Sequence, residues 1–245
     1  MAGHQQVDNS IYEKYGENWY TADDDPVALL RAENKVKSPW IIKRLPDKAI
    51  ILDVGCGAGF LTNELARHGY QVTGIDASED SLRVAKLYDE TKSVNYQTAD
   101  AYKLPFADAS FDVVTALDFL EHVEDPKAVI AEISRVLKPG GQFFFHTFNR
   151  HPLAWLVVIK LVEWLIPKTP KHMHVLRLFV KPAELKSYCE ASNMKVNEMV
   201  GIKPVIRSIP LKSLFSGRVP QSLRFELTRS LLLSYMGEAK KTVPS

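Results

Sequence analysis

Hydrophobic positions change period several times along this 245-residue chain, and the changes mark its elements. Residues 1–25 are polar, with Tyr12, Tyr15, Trp19 and Tyr20 interleaved and Asp23-Asp24-Asp25 at the end, which reads as an ordered arm. From Pro26 to Leu45 the apolar spacing is helical through Leu29, Leu30, Val36 and Ile41, and Pro39 is placed to bend or divide that helix. From Ile50 strands and helices alternate. The pattern predicts strands at 50–54, 71–75, near 94–97, at 111–117 and at 142–148. It predicts helices at 58–68, 78–89 and 126–137, the last opened by Pro126 and stopped by Pro139-Gly140-Gly141. Such alternation makes an α/β fold, a mostly parallel sheet with helices on both faces.

Residues 151–181 interrupt the alternation. Leu153 to Ile166 is almost wholly apolar, broken by Lys160 and Glu163. That run is too short to span a bilayer, which takes about 20 residues. A further helix is expected from Pro182 to Ala191 and a strand from Lys195 to Val200, followed by a basic, moderately apolar tail. The layout is one domain over 1–245. It divides into an N-terminal helical arm (1–45), a core (46–150), an apolar and basic insertion (151–181), and a segment completing the fold with a basic tail (182–245).

Charge changes this picture. The net charge is only +2, but residues 1–149 hold 15 Lys/Arg against 23 Asp/Glu, and residues 150–245 hold 16 against 6. A basic half favours an anionic membrane surface or nucleic acid. The two cysteines, Cys56 and Cys189, give no disulfide framework and suit a reducing compartment. The first residues carry no basic region followed by an apolar run, so no signal peptide is expected.

The chemistry begins at the first strand. Ile51-Leu52-Asp53-Val54-Gly55-Cys56-Gly57-Ala58-Gly59 joins an apolar run to an alternating-glycine turn, and the second strand ends in Asp76. Glycines let the backbone turn tightly and approach a ligand. An acid behind the second strand is placed to reach ribose hydroxyls. A dinucleotide turn usually spaces its glycines as Gly-x-Gly-x-x-Gly and meets a pyrophosphate, which Asp53 would repel. An NAD dehydrogenase is therefore disfavoured. Asp53, Gly55, Gly57 and Asp76 suit an adenosine cofactor that carries an amino group, such as S-adenosylmethionine.

Asp53-x-Gly55-x-Gly57-x-Gly59 resembles motif I of the class I methyltransferases. Thr98-Ala99-Asp100-Ala101, Phe111-Asp112-Val113-Val114 and Leu137-Lys138-Pro139-Gly140-Gly141 resemble their later motifs, in the same order. A narrower resemblance is to the ubiquinone-biosynthesis O-methyltransferases. It rests on Val7-Asp8-Asn9 with Trp19, Leu30-Arg31-Ala32-Glu33-Asn34, Val84-Ala85-Lys86-Leu87, Asp118-Phe119-Leu120-Glu121-His122-Val123, Thr147-Phe148-Asn149-Arg150 and Phe179-Val180-Lys181-Pro182-Ala183-Glu184-Leu185.

The resemblance implies a Rossmann-like class I fold with a helical cap after the fifth strand. It also implies methylation of polyprenylated catechols or phenols, with S-adenosylhomocysteine as product. Arg31, Gly55, Asp76 and Leu117 would contact the cofactor, and Asp100 would lie near its adenine. The family's metal site, for which magnesium suits the donor set, falls on Asp118, Glu121 and His122. The family often has Glu where this chain has Asp118, which is one methylene shorter. A metal chelated by adjacent substrate oxygens would stabilise the phenolate. Glu121 and His122 are thus catalytic candidates, and His174, with His146 and His172 behind it, is a candidate general base.

The basic flanks of 153–166 and the implied lipid-tailed substrate point to an anionic membrane surface as partner. A cytoplasmic enzyme, peripheral on the inner membrane and attached to a quinone-biosynthesis complex, is the corresponding expectation. The alternatives are methylation of another small acceptor and a non-catalytic cofactor-sensing or nucleic-acid-binding domain. Nucleic acid is not expected, because no reading motif is present.

Overall fold

β1 (Ile50–Val54) is buried on both faces, and that places it at the centre of a sheet. The computed structural model describes residues 15–166, 168–170, 175–211, 213 and 216–243. Parallel neighbours of β1 are β2 (Gln71–Asp76) and β4 (Phe111–Leu117). β3 (Asn95–Thr98) pairs parallel with β2, and β5 (Leu137–Phe148) parallel with β4. Three late strands, β6 (Met194–Pro204), β7 (Phe225–Thr228) and β8 (Ser234–Lys241), extend the sheet through antiparallel pairs. The order is β3-β2-β1-β4-β5-β8-β6-β7, with β8 inserted between β5 and β6. The tail whose role the sequence left open thus completes the sheet.

Period-two alternation along the central strands builds two cores. Leu52, Val54, Val114, Phe143 and Phe145 face Val129, Ile130 and Ile133 of α5 (Pro126–Val136) and Leu185 of α8 (Pro182–Ala191). Ile51, Val113 and Phe144 face Trp40 and Ile41 of α2 (Val27–Ile42) and Leu61 and Leu65 of α3 (Phe60–Arg67). Pro39 does not divide α2. It lies in the last turn, where only one backbone donor is lost, and the helix runs on to Ile42.

Side-chain caps fix two helix starts. Ser78 accepts from the Ser81 amide at 3.2 Å to open α4 (Glu79–Leu87), and Asp125 accepts from the Ala128 amide at 3.1 Å to open α5. A short α1 (Asn18–Thr21) stands over α2, joined to it through Arg31.

The insertion folds as a continuous helical rod of three pieces. These are α6 (Pro152–Ala154), a π-helical segment (Trp155–Leu161) and α7 (Val162–Leu165). π-helical turns are rare and recur at functional sites. No helix among the described residues is long and apolar enough to cross a membrane.

Candidate active site

The carboxyl ends of β1, β2 and β4 open into one cavity of about 450 Å³. That is where open α/β sheets hold ligands, because the strand-to-helix connections splay apart there. Asp53, Gly55, Gly57, Asp76, Leu117, Asp118 and His122 all line it. Opposite the glycine turn the wall becomes apolar, with Val158, Val162 and Leu165 from the helical rod and Ile209, Val219 and Leu223 from the segment between β6 and β7.

The glycines are required by geometry. Gly55 has φ +69°, and a Cβ there would stand 2.2 Å from the Phe119 ring. Gly59 has φ +81°, and its Cβ would meet the Tyr96 hydroxyl at 2.4 Å. Asp76 shapes the same turn: one carboxylate oxygen accepts from the Gly57 amide and the other from the Ser78 amide, both at 2.9 Å. Burial pushes the Asp76 carboxyl up, and those amide donors pull against it. Each oxygen keeps a lone pair for a further hydroxyl donor.

Asp53 lines the cavity and also braces the elements around it. Its oxygens accept from the Thr62 and Thr115 hydroxyls, both at 2.6 Å, and it is buried at the foot of the turn. Burial pushes its pKa up to about 6. It therefore braces β1, α3 and β4 while contributing polar surface to the cavity floor.

Two expected cofactor residues lie off the cavity wall. The Arg31 guanidinium donates to the Trp19 carbonyl at 2.6 Å and to the carbonyls of Asn18 and Ala22. Those are end carbonyls of a helix, and a cation satisfies them. Arg31 thereby clamps the aromatic arm, whose Trp19 lines the cavity and whose Tyr20 hydroxyl donates to the Ala58 carbonyl at 2.9 Å. Asp100 is exposed and accepts from the Tyr102 amide at 2.9 Å, in the loop after β3.

The expected metal residues part company. Asp118 sits at the end of β4 with φ +52°, a left-handed conformation costly for a residue other than glycine. One of its oxygens meets His146 Nδ1 at 2.7 Å and the other accepts from the Lys37 ammonium. Burial pushes the Asp118 carboxyl up, but the adjacent Lys37 and His146 outweigh it and hold the group below the usual range. Glu121 is fully buried, accepts from the Thr147 hydroxyl at 2.7 Å, and lies off the cavity wall. Burial, then the Asp118 charge, pushes its pKa up to about 8. His122 faces the cavity.

Among the described residues, the donor atoms that converge are those of Glu33, Asp118 and His146, not Asp118, Glu121 and His122. With an ammonium already on Asp118 and Glu121 turned off the cavity wall onto Thr147, the expected triad does not fit a divalent ion. His172 and His174, and the Val7-Asp8-Asn9 segment, lie outside the described residues.

Sequence reasoning missed Lys37 and Glu33. The signal was present: Glu33, Lys37 and Ile41 recur at steps of four, so a charged pair shares a helix face with a core residue.

Residues 52–145 match the model of the methyltransferase domain family. The chain is 37% identical over 207 residues to the ubiquinone biosynthesis O-methyltransferase of Hahella chejuensis (strain KCTC 2396), covering 82% of this chain and 86% of that one. Among solved structures, a SAM-dependent methyltransferase from Methanosarcina mazei superposes with a TM-score of 0.59 at 23% identity, covering 84% of this chain and 98% of the other. Magnesium protoporphyrin IX methyltransferase from Synechocystis PCC 6803, with bound SAH, superposes with a TM-score of 0.61 at 19% identity, covering 98% and 90%.

Proposed function

The chain belongs to the ubiquinone biosynthesis O-methyltransferase family, and from that premise we propose that it moves the S-adenosylmethionine methyl group to a phenolic hydroxyl of a polyprenylated catechol or phenol. One observation carries the reading: the glycine-turn cradle opens directly into an apolar chamber. A polar cofactor end and a greasy acceptor end share one cavity.

Methyl transfer is a displacement at a carbon already activated by sulfonium. The protein's task is to align oxygen, methyl and sulfur. The Gly55–Gly59 turn gives the cofactor close backbone approach, Asp76 accepts from its ribose, and the backbone at Leu117 borders it. The arm held by Arg31 brings Trp19 over the turn and excludes water. A phenol of pKa ~10 must lose its proton as it attacks. We assign that proton to His122, which faces the cavity at the end of β4. Glu121 lies behind it, joined to Thr147 of β5, fixing the short Leu120–His122 turn.

Peripheral membrane binding is the second part of the proposal. The helical rod has two apolar faces. Val158, Val162 and Leu165 turn to the cavity, while Trp155, Leu156 and Trp164 turn outward, Trp164 being 81% exposed. Ile206 and Leu211, across the cavity, are also exposed. Outward aromatic and aliphatic groups suit insertion among headgroups. The basic contribution is smaller than the sequence suggests, because Arg150, Lys160, Lys168 and Arg177 pair with Glu184, Glu163, Asp24 and Glu124. The partner is therefore a membrane surface met chiefly by apolar contact, with a quinone-biosynthesis complex as a further candidate.

The decisive experiment is transfer of labelled methyl from S-adenosylmethionine to a short-tailed polyprenyl catechol. Transfer that tailless catechol or other small acceptors receive equally well would replace this acceptor class with another.

A further inference from the structure

We propose that Lys37 is the resident cation of this site, standing at Asp118 where family resemblance puts a divalent metal, so that methyl transfer runs without one. The proposal rests on the methyl-transfer reading above.

The geometry is that of a filled metal site. Glu33, Asp118 and His146 each bring one ligand-type atom within 4.8 Å of the others. Two carboxylates and an imidazole form a donor set that divalent ions take. Into this set α2 sends the Lys37 ammonium, which donates to Glu33 at 3.2 Å and also to Asp118. His146 Nδ1 meets the other Asp118 oxygen at 2.7 Å. Lys37 is 1% exposed and lies in the same helix as the buried Trp40 and Ile41, so its ammonium cannot swing to water without unpacking α2.

Two features tie the pair to the reaction. Glu33 and Asp118 line the cavity, whereas Lys37 stands behind them. Lys37 therefore acts through Asp118, as a positioning residue. Asp118 is also held in a left-handed conformation directly after Leu117, at the mouth of the cofactor cradle. A divalent ion entering the same donors would sit against a buried ammonium, where repulsion is poorly screened.

The test uses the full chain and Mn²⁺ as a paramagnetic probe, read by electron spin resonance. Wild-type protein should leave Mn²⁺ free, and after exhaustive chelation it should keep its rate of methyl transfer. K37M, which leaves Glu33, Asp118 and His146 without their cation, should acquire an Mn²⁺ site that a further D118N change removes. K37R should keep the site closed and retain more activity than K37M. Mn²⁺ binding by wild type that D118N abolishes would overturn the proposal. So would loss of activity on chelation with recovery on added Mg²⁺, or a folded K37M that binds no Mn²⁺. If K37M fails to fold, the wild-type titration and chelation still decide. Failure of the methyl-transfer reading looks different: no phenolic acceptor is methylated, whatever the Mn²⁺ result.

Discussion

Lys37 on α2, which is buried, and Asp118 at the end of β4, which is partly buried, form an ion pair across 81 positions of sequence. The pair welds the first long helix to the strand end that borders the cofactor cradle. Burial pulls the Lys37 ammonium down, but Asp118 and Glu33 outweigh it, and the group stays charged. Removing one partner leaves a buried charge undercompensated. Asp118→Asn should therefore destabilise the fold by about 3 kcal/mol, toward the lower end for a broken buried pair because Glu33 remains. Urea unfolding at neutral pH measures this, and a change within error would mean that Lys37 reaches solvent after all.

Glu121 gives a pH signature. Its carboxyl is pushed up to about 8 in the folded chain by burial and by Asp118. An ordinary unfolded carboxyl sits near ~4.3. Its contribution is thus present in full below the unfolded value and fades as pH rises toward about 8. Wild-type stability should fall across this window by at most about 1.4 kcal/mol per pH unit from this group. Glu121→Gln keeps the neutral shape and should flatten the profile, most clearly above pH 6, where Asp53 no longer adds the same trend. Parallel urea profiles from pH 5 to pH 8, taken about a unit apart, would show that Glu121 ionises normally.

Asp76 holds the cradle and meets the cofactor in the proposed function. Asp76→Ala removes the acceptor of the Gly57 and Ser78 amides as well as the ribose partner. S-adenosylmethionine affinity should fall by roughly 1.5–3 kcal/mol, measured by calorimetry. Asp76→Asn, which keeps an acceptor oxygen, should lose less. Equal losses in the two variants would point to charge as the whole contribution.

Trp155 and Trp164 test the membrane surface. Both are exposed on the outward side of the helical rod. Replacing both by Ser should reduce liposome binding and activity on long-tailed acceptors. Transfer to a tailless soluble catechol should change little, because neither side chain lines the cavity. A polyprenyl tail costs ~0.8 kcal/mol per CH₂ to expose to water, so extraction at the interface has a large driving force. Equal loss on both acceptors would assign the two tryptophans to folding.

The first half of the fold and the cradle were legible along the chain because their causes are local. Period-two burial, the Pro126 start and the need for positive φ at Gly55 and Gly59 act over a few residues and leave a readable pattern. Asp53 and Asp76 could be placed at the cavity because a strand end followed by a glycine turn has few conformations. The rest required tertiary structure. The tail past Gly201 carries no strong period, since β8 gains its place only by pairing with β5 and β6 on either side. Arg31 looked like a cofactor ligand, but its partners are carbonyls of a neighbouring helix. Asp118, Glu121 and His122 are close in sequence, yet the short helical turn leaves Asp118 and His122 on the cavity wall and carries Glu121 off it. Lys37 is the sharpest case. Sequence determines that a lysine shares a face with core residues, but only the packing of α2 on the sheet decides that its charge meets Asp118, because electrostatic partners are set by distance in space rather than by separation along the chain.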